Sequence, residues 1–304
     1  MNKKIWLIMT FLASLLVAPI LVKSTYIIHI LIMCLWIGTL GAALDLSAGY
    51  IGLVNFGYSG FIGIGAYTSA LIAINFSVSP FIGILIGGLV SALLGAFLGF
   101  VTLRLHEFYF TIFTLFTSEA LRYAFANLVD LTRGYLGLFV PPFPGFDPTS
   151  RLHYYYILLG ISLAILFISS IIINSRLGIA FKAIREDEIR AATLGLNVII
   201  FKVINVTLSC FFAGILGGFY AHYIGILTPD IMGSFRTIEV LTVTYVGGRA
   251  SLWGSLVGAF ILIPFTEILR PLVIVRLMVY GLGLITIILL YPKGLASYLK
   301  KLWR

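Results

Sequence analysis

Charged residues are scarce in this sequence. Only 10% of its 304 residues are Asp, Glu, Lys or Arg, whereas a water-soluble domain usually contains about 25%. Because 61% of the residues are hydrophobic and the mean hydropathy is +1.11, too few polar side chains remain to cover a globular surface. The composition excludes a soluble enzyme and predicts a polytopic membrane protein.

Cysteines and closely spaced metal ligands are also few. Cys34 and Cys210 are the two cysteines, and they lie far apart in apolar runs. Neither a disulfide framework nor a zinc site is expected from them. The four histidines show no paired ligand spacing either. We therefore expect no metal site and no bound cofactor.

Motifs for catalysis and for nucleotide binding are incomplete. Residues 57–60 resemble half of a nucleophile elbow, but the second glycine comes one position early. Residues 63–65 lack the third glycine of a dinucleotide fingerprint, and no G-x-x-x-x-G-K-S/T phosphate loop is present. If the protein works by ATP, a separate chain has to hydrolyse it, and this chain is not expected to be an enzyme.

Acidic residues are outnumbered by basic ones, 11 to 20, which gives a formal net charge of +9. The basic residues lie in short loops and near the two ends, a pattern typical of cytoplasmic anchoring rather than of nucleic-acid binding. If the N-terminus is cytoplasmic, thirteen Lys and Arg residues fall on the cytoplasmic side, six on the other side and Arg122 within a helix. Both termini are therefore expected in the cytoplasm.

Long apolar runs make up most of the chain. A span needs about 20 such residues, so the runs predict about nine spans, within a range of roughly eight to ten. They cover residues 5–22, 26–44, 57–76, 80–103, 108–128, 153–173, 203–227, 238–269 and 274–291. Gly247, Gly248 and Arg249 interrupt one run, which leaves open whether the segment from Ile238 to Gly247 crosses the membrane or re-enters. The prediction is an all-α integral membrane helix bundle with broken or short segments, folded as one domain over residues 1–304.

Small residues recur every four positions in the run 80–103. They are Gly83, Gly87, Ser91, Gly95 and Gly99. This spacing places them on one face of a helix, and small residues let helix backbones approach closely in lipid. The stripe predicts a buried packing face, for which ordinary bundle packing without a direct functional role is a sufficient interpretation.

Ionisable residues at membrane depth are candidates for a transport pathway, because an unpaired charge there costs at least about 2.5 kcal/mol. Glu119 and Arg122 are spaced i, i+3 and can pair on one helix face. A structural ion pair facing the bundle and a contact with a pathway are both open interpretations. Weaker polar candidates lie near span ends or breaks, namely Asp45, Asn55, Glu107, Glu239 and Glu267.

The largest polar excursion covers residues 174–202. It contains eight charged residues in 29 positions, namely Arg176, Lys182, Arg185, Glu186, Asp187, Glu188, Arg190 and Lys202. Apolar residues near helical spacing predict a short amphipathic helix that stops at Gly195. Such a helix can lie in the lipid interface or dock into a groove on a cytosolic partner, and composition alone leaves both open.

In this segment the sequence resembles the permease family of branched-chain amino acid ABC transporters. In that family a degenerate coupling motif, made of an acidic residue, two alanines and a later glycine, engages the ATPase subunit. The matching positions are Glu188, Ala191, Ala192 and Gly195, preceded by Arg185, Glu186 and Asp187. The resemblance implies that residues 174–202 form a cytoplasmic coupling loop.

Further blocks of sequence resemble the same family, in order along the chain. They are residues 49–57 with 63–68, 220–225 with 228–230, and 246–254 with 291–295. Asp45 stands where asparagine is usual, Asn55 stands where serine is common, and Arg249 interrupts a glycine run. These departures leave the expected fold intact and the identity of the substrate open.

The resemblance implies one of two permease subunits of an ATP-driven importer in the prokaryotic plasma (inner) membrane. Its expected solutes are leucine, isoleucine and valine or related small polar solutes, moved into the cytoplasm by alternating access. Its expected partners are a second permease, two ATPase subunits, an extracytoplasmic substrate-binding protein and membrane lipid, but no nucleic acid.

Three other functions stay open for this sequence. A permease of the same family would serve urea or short amides. An ion-coupled secondary transporter would use Glu119, Arg122 and Glu267 to carry the coupling charge. An intramembrane enzyme is disfavoured, because no span carries a Ser/His, paired Asp or His/Glu constellation at helical spacing.

Overall fold

The computed structural model describes residues 15, 16, 18, 19, 24–102, 107–144, 151–268, 278, 281 and 282. The predicted first span at 5–22 and last span at 274–291 lie largely outside these residues, and the basic C-terminal tail lies outside them completely. The elements below are therefore those of the central part of the chain.

Helices dominate the described residues, and the all-α prediction is confirmed. In chain order the helices are α1 (Thr25–Asp45), α2 (Tyr58–Phe76), α3 (Pro80–Thr102), α4 (Glu107–Asn127), α5 (Val129–Thr132), α6 (Arg151–Asn174), α7 (Arg176–Glu186), α8 (Glu188–Thr193), α9 (Val198–Ile224), α10 (Ser234–Gly247) and α11 (Leu252–Ile268). A π-helix, Leu46–Ile51, continues α1, and 3₁₀ turns occur at Gly134–Leu136 and Pro229–Met232. The two-residue strands β1 (Leu138–Phe139) and β2 (Ile226–Leu227) pair antiparallel.

Five helices are long and apolar enough to cross a membrane on their own: α1 with its π-helical extension, α2, α3, α6 and α9. Helices α10 and α11 meet this criterion only as a pair, bent by 112° at their junction. The described residues thus contain five or six candidate spans, and the predicted number of about nine is not confirmed. Two termini on one side also require an even number of spans, so a count of nine was incompatible with the predicted orientation.

Helix α1 lies at the centre of the bundle. Every residue from Cys34 to Ile51 is buried. The sequence did not show this central position, because α1 is apolar on all sides, as any membrane span can be. Gly38 and Gly41 let α11 and α10 approach, because a Cβ atom at Gly38 would lie 2.9 Å from the Leu256 side chain. On another side, the indole N–H of Trp36 donates to the carbonyl oxygen of Leu216 in α9 at 2.9 Å.

Helices α2, α3 and α9 pack through glycine. The five small residues of the 80–103 run all lie on the buried face of α3, while Leu93 on the opposite face is 71% exposed. A Cβ atom at Gly87 would lie 2.5 Å from the carbonyl oxygen of Gly65 in α2. A Cβ atom at Gly95 would lie 2.7 Å from that of Cys210 in α9. Backbone contact of this kind holds helices together in lipid, where the hydrophobic effect gives no drive.

Candidate functional site

Residues 174–202, here called the charged loop, form two helices rather than the single helix predicted from the sequence pattern. Helix α7 ends at Glu186, and α8 begins at Glu188. Asp187 between them has an extended backbone, and its Oδ1 accepts a hydrogen bond from the N–H of Arg190 at 3.0 Å. Aspartate is favoured as such an N-cap over a helix interior because its short side chain satisfies a free N–H. Gly195, with a φ of +87°, follows α8.

Helix α8 is fixed to the bundle on one side. The Nζ atom of Lys202 in α9 lies 2.7 Å from Oε2 of Glu188, and the Lys202 side chain is only 2% exposed. Ala191 is buried as well, whereas Ala192 and Gly195 are exposed. Of the four positions in the coupling motif, Glu188 and Ala191 thus face the bundle or pair with it, and the other two face outwards.

Large apolar side chains project from this otherwise polar segment. Ile189 is 78% exposed, and Leu194 is 81% exposed. Ile179 on α7 is 66% exposed. Exposed apolar groups clustered on short helices commonly mark an interaction site.

A cleft of about 450 Å³ separates α7 from the C-terminal end of α1. Its walls are Tyr50, Ile173, Lys182, Arg185, Glu186 and Ala250. The ammonium group of Lys182 lies 5.9 Å from the centre of the Tyr50 ring. Arg185 crosses the cleft and donates from Nη1 to the carbonyl oxygen of Gly49. Arg185 and Glu186 therefore belong to the same side of the molecule as the end of α1.

Asp45 and Asn55 bind backbone groups. Asp45 is fully buried, and its Oδ1 and Oδ2 accept hydrogen bonds from the N–H groups of Ala250 and Ser251, at 3.0 and 2.9 Å. Asn55 is 1% exposed and accepts a hydrogen bond from the N–H of Gly57 at 3.0 Å. Asp45 joins α1 to the break before α11, and Asn55 closes the turn that leads into α2.

Glu119 and Arg122 form an ion pair that also contacts the start of α10. Nε of Arg122 lies 2.9 Å from Oε2 of Glu119, and the two side chains are 23% and 25% exposed. Oε1 of Glu119 accepts a hydrogen bond from the N–H of Ser234 at 3.1 Å. Nη1 of Arg122 lies 3.8 Å from Asp230, whose side chain is 66% exposed. The pair thus connects α4 to the segment 230–234 and stays partly open to the outside.

A buried cluster of hydroxyl groups lies next to this ion pair, and no pattern in the sequence indicated it. The hydroxyls of Ser59 and Ser118 donate to the carbonyl oxygen of Met232 at 2.9 and 2.8 Å. The hydroxyl of Thr237 donates to that of Ser59 at 2.9 Å. Serine and threonine are common in membrane helices, so only their convergence from α2, α4 and α10 singles them out.

A second i, i+3 ion pair lies inside α10. Nη1 of Arg236 is 2.6 Å from Oε2 of Glu239, and Glu239 is fully buried. The guanidinium of Arg236 lies 5.4 Å from the centre of the Trp36 ring. From the sequence, Glu239 was predicted to be a weaker candidate for a transport pathway than Glu119, although both acids have an arginine three positions away.

The remaining candidates lie elsewhere. Glu267, near the end of α11, accepts a hydrogen bond from the hydroxyl of Tyr26 at 3.3 Å, so it contacts the start of α1. Glu107 begins α4. Within the residues that the structure describes, no group of three His, Cys, Asp or Glu side chains is arranged to hold a metal ion.

Comparison with known proteins gives consistent results over most of the chain. A family model described as branched-chain amino acid transport system, permease component, matches residues 26–290. Two relatives, from Salmonella typhimurium and Escherichia coli, are both named high-affinity branched-chain amino acid transport system permease protein LivM. Each is 30% identical in an alignment 283 positions long, and the alignment covers 84% of this chain. The chain spans 66% of the length of these relatives, just under two thirds.

No solved structure matches the chain significantly. The family match nonetheless covers the central helices, the charged loop and the break between α10 and α11. This protein therefore belongs to the family of permease components of branched-chain amino acid transport systems.

Proposed function

We propose that the chain is a membrane-spanning permease subunit of an ABC importer in the prokaryotic inner membrane. It moves leucine, isoleucine, valine or related small solutes into the cytoplasm. A second permease, two ATPase subunits and an extracytoplasmic binding protein complete the assembly. Family membership and the names of the relatives support this function, and the lack of a phosphate loop in the sequence assigns ATP hydrolysis to the partners.

The observation that carries the proposal is the pair of exposed apolar residues, Ile189 and Leu194, on the charged loop. A soluble partner that covers them gains about 25 cal/mol for each Å² of apolar surface removed from water. Helix α8 is held from behind by the 2.7 Å ion pair between Lys202 and Glu188. A helix that exposes apolar groups on its free side and is fixed on the other can transmit a displacement of the partner to the bundle.

We assign the four positions of the coupling motif to two roles. Ala192 and Gly195, which are exposed, contact the ATPase subunit. Glu188 and Ala191, which pair with or face the bundle, keep α8 in place. In this assignment the charged loop is cytoplasmic. The β1–β2 ladder then lies on the opposite side of the membrane, because it follows α9, a helix of 27 residues that is about 40 Å long.

We place the transport pathway beside Glu119 and Arg122. Their helix, α4, carries a partly exposed ion pair and is not among the helices apolar enough to span lipid on their own. An ion pair that faced acyl chains would be costly, so the open face of α4 is covered by the second permease. The charges on Glu119, Arg122 and Asp230 are complementary to the ammonium and carboxylate groups of an amino acid.

Co-expression with candidate ATPase, permease and binding-protein partners tests the coupling assignment. Leu194→Asp places a charge in the proposed contact, and we expect recovery of the ATPase with the purified chain to fall by about tenfold. Leu136, which is 84% exposed and lies beside β1, provides the matched control Leu136→Asp, for which recovery stays unchanged.

Two results would contradict the proposal. One is full recovery of the ATPase with Leu194→Asp. The other is uptake by the isolated chain in liposomes that follows an ion gradient without any ATPase, which would indicate a secondary transporter.

A further inference from the structure

Four polar side chains join three elements at the C-terminal end of α1. We name this set the junction: Asp45, Tyr50, Arg185 and Arg249, together with the π-helix Leu46–Ile51 between them. Asp45 fixes α1 to the break between α10 and α11 through the N–H groups of Ala250 and Ser251. A buried carboxylate needs such donors because it has lost its hydration.

The two arginines reach the same π-helix from different directions. Nη2 of Arg249, in the break, donates to the carbonyl oxygen of Ala48 at 2.9 Å. Arg185, on α7 of the charged loop, donates to the adjacent carbonyl oxygen of Gly49. In addition, the hydroxyl of Tyr50 donates to the carbonyl oxygen of Ala250 at 3.1 Å. The π-helix is thus bonded on one side to the charged loop and on the other to the break.

The break itself has an uncommon backbone. Gly248 has a φ of +113°, and Ala250 has a φ of +56°. A left-handed conformation at alanine is unfavourable and persists where surrounding contacts impose it. Those contacts are the bond from the Ala250 N–H to Asp45 and the bond from Tyr50 to the Ala250 carbonyl. The junction therefore holds the backbone at the point where α10 and α11 bend by 112°.

Helix α10 connects the junction to the polar groups at its other end. It has 14 residues and is about 21 Å long. Its first residue, Ser234, bonds to Glu119, and Thr237 bonds to Ser59. A change of angle at the break would therefore shift the contacts of α10 with α4 and α2.

We infer that the junction couples α7 to α10. Displacement of the charged loop moves the π-helix through Arg185. Asp45 and Arg249 transmit this movement to the break between α10 and α11. The change at the break tilts α10 away from Glu119. Helices α2 and α3 and the segment of α9 from Cys210 to Gly218 stay fixed during this step, because their glycine contacts leave no room for sliding. The inference rests on the proposed function, since a partner ATPase is what moves the loop.

Asp45 and Arg185 are then positioning residues, and the ratio of solute transported to ATP hydrolysed reports their role. The complete complex is reconstituted in liposomes with its binding protein, and uptake and hydrolysis are measured in parallel. For Arg185→Gln and Asp45→Asn we expect the complex to assemble and hydrolyse ATP, with about tenfold less solute moved per ATP. Tyr50→Phe, which removes one hydroxyl and keeps the ring, should lower the ratio about twofold to fivefold.

Arg176→Gln is the matched control. Arg176 is exposed at the start of α7, nine positions before Arg185, and nine positions correspond to half a turn around a helix at about 100° per residue. This variant removes the same charge from the opposite face of α7, so the ratio should stay at the wild-type value.

An unchanged ratio for both Arg185→Gln and Tyr50→Phe would overturn the inference, whatever happens to the buried Asp45→Asn variant. An equal loss in Arg176→Gln would overturn it too, because the effect would then be one of loop charge. If the wild-type chain forms no ATP-hydrolysing complex, the proposed function fails instead, and this result is distinguishable from failure of the junction alone.

Discussion

Asp45 and Arg249 lie 204 positions apart in the sequence, and the structure brings them to the same place. The carboxylate of Asp45 binds the backbone next to Arg249, while the guanidinium of Arg249 binds the carbonyl oxygen of Ala48, three residues after Asp45. A buried negative charge thus has a positive charge beside it. We interpret the two charges as compensating each other.

This interpretation predicts a non-additive double-mutant cycle. Arg249→Gly leaves the charge of Asp45 without its neighbour and should lower the thermal unfolding temperature of the purified protein. Adding Asp45→Asn removes the charge that needed compensation, so the double variant should regain part of the loss. We expect a coupling free energy of about 1 to 3 kcal/mol. Additive effects of the two substitutions would show that the charges do not interact.

Helix ends decide the shape of the charged loop. The apolar spacing in residues 174–202 predicts helix, but it does not show that Asp187 leaves the helix to cap the next one. Three consecutive acids, Glu186, Asp187 and Glu188, are compatible with either arrangement. The interruption at Asp187 turns α8 so that Ile189 is exposed while Ala191 is buried. This placement supports the proposed contact of the charged loop with the ATPase subunit.

Removing the cap should loosen α8. An N-cap contributes about 1 kcal/mol, so amide hydrogen exchange in α8 is expected to become about fivefold faster in Asp187→Ala. Asparagine caps helices about as well as aspartate. Asp187→Asn should therefore keep the wild-type exchange rate. Equal acceleration in both variants would mean that the charge of Asp187, and its ion pair with Arg190, matters more than the cap.

The glycine stripe of α3 also acts at the scale of elements. A Cβ atom at Gly87 would meet the carbonyl oxygen of Gly65, so Gly87→Ala should force α2 and α3 apart and lower the free energy of unfolding by about 1 to 3 kcal/mol. Gly160 in α6 has open space around its Cβ position. Gly160→Ala should leave stability unchanged or raise it, because alanine favours helix over glycine. Denaturation in mixed detergent compares the two.

For the whole molecule, composition and pattern were sufficient to predict the helical class, the charged loop and the interruption near Gly248. They were not sufficient to predict what Asp45 binds, because its partner N–H groups are more than 200 positions away along the chain. The hydroxyl cluster around Ser59 was not predicted for the same reason, because Ser59, Ser118 and Thr237 are far apart in the sequence. Helix α4 was predicted as a span, but it is not among the helices long and apolar enough to cross a membrane on their own, so this prediction is not confirmed.

Orientation is a property of the whole molecule and can be measured directly. Single cysteines introduced as Leu194→Cys and Leu136→Cys place thiols at the charged loop and beside β1. In intact cells of a double-membraned bacterium, a reagent that stays outside the inner membrane should label Leu136→Cys and leave Leu194→Cys unlabelled. The natural cysteines do not interfere, because Cys34 and Cys210 are fully buried. The reverse labelling pattern would invert the proposed topology.

The open face of α4 has a consequence for protein abundance. In the proposed assembly a second permease covers this face, because its partly exposed ion pair of Glu119 and Arg122 would be costly against acyl chains. A chain made in excess of its partner would present this face to lipid and become a substrate for membrane proteases. Cells would thereby hold the two permeases at matched amounts through degradation of unassembled chains, without any need to balance their synthesis.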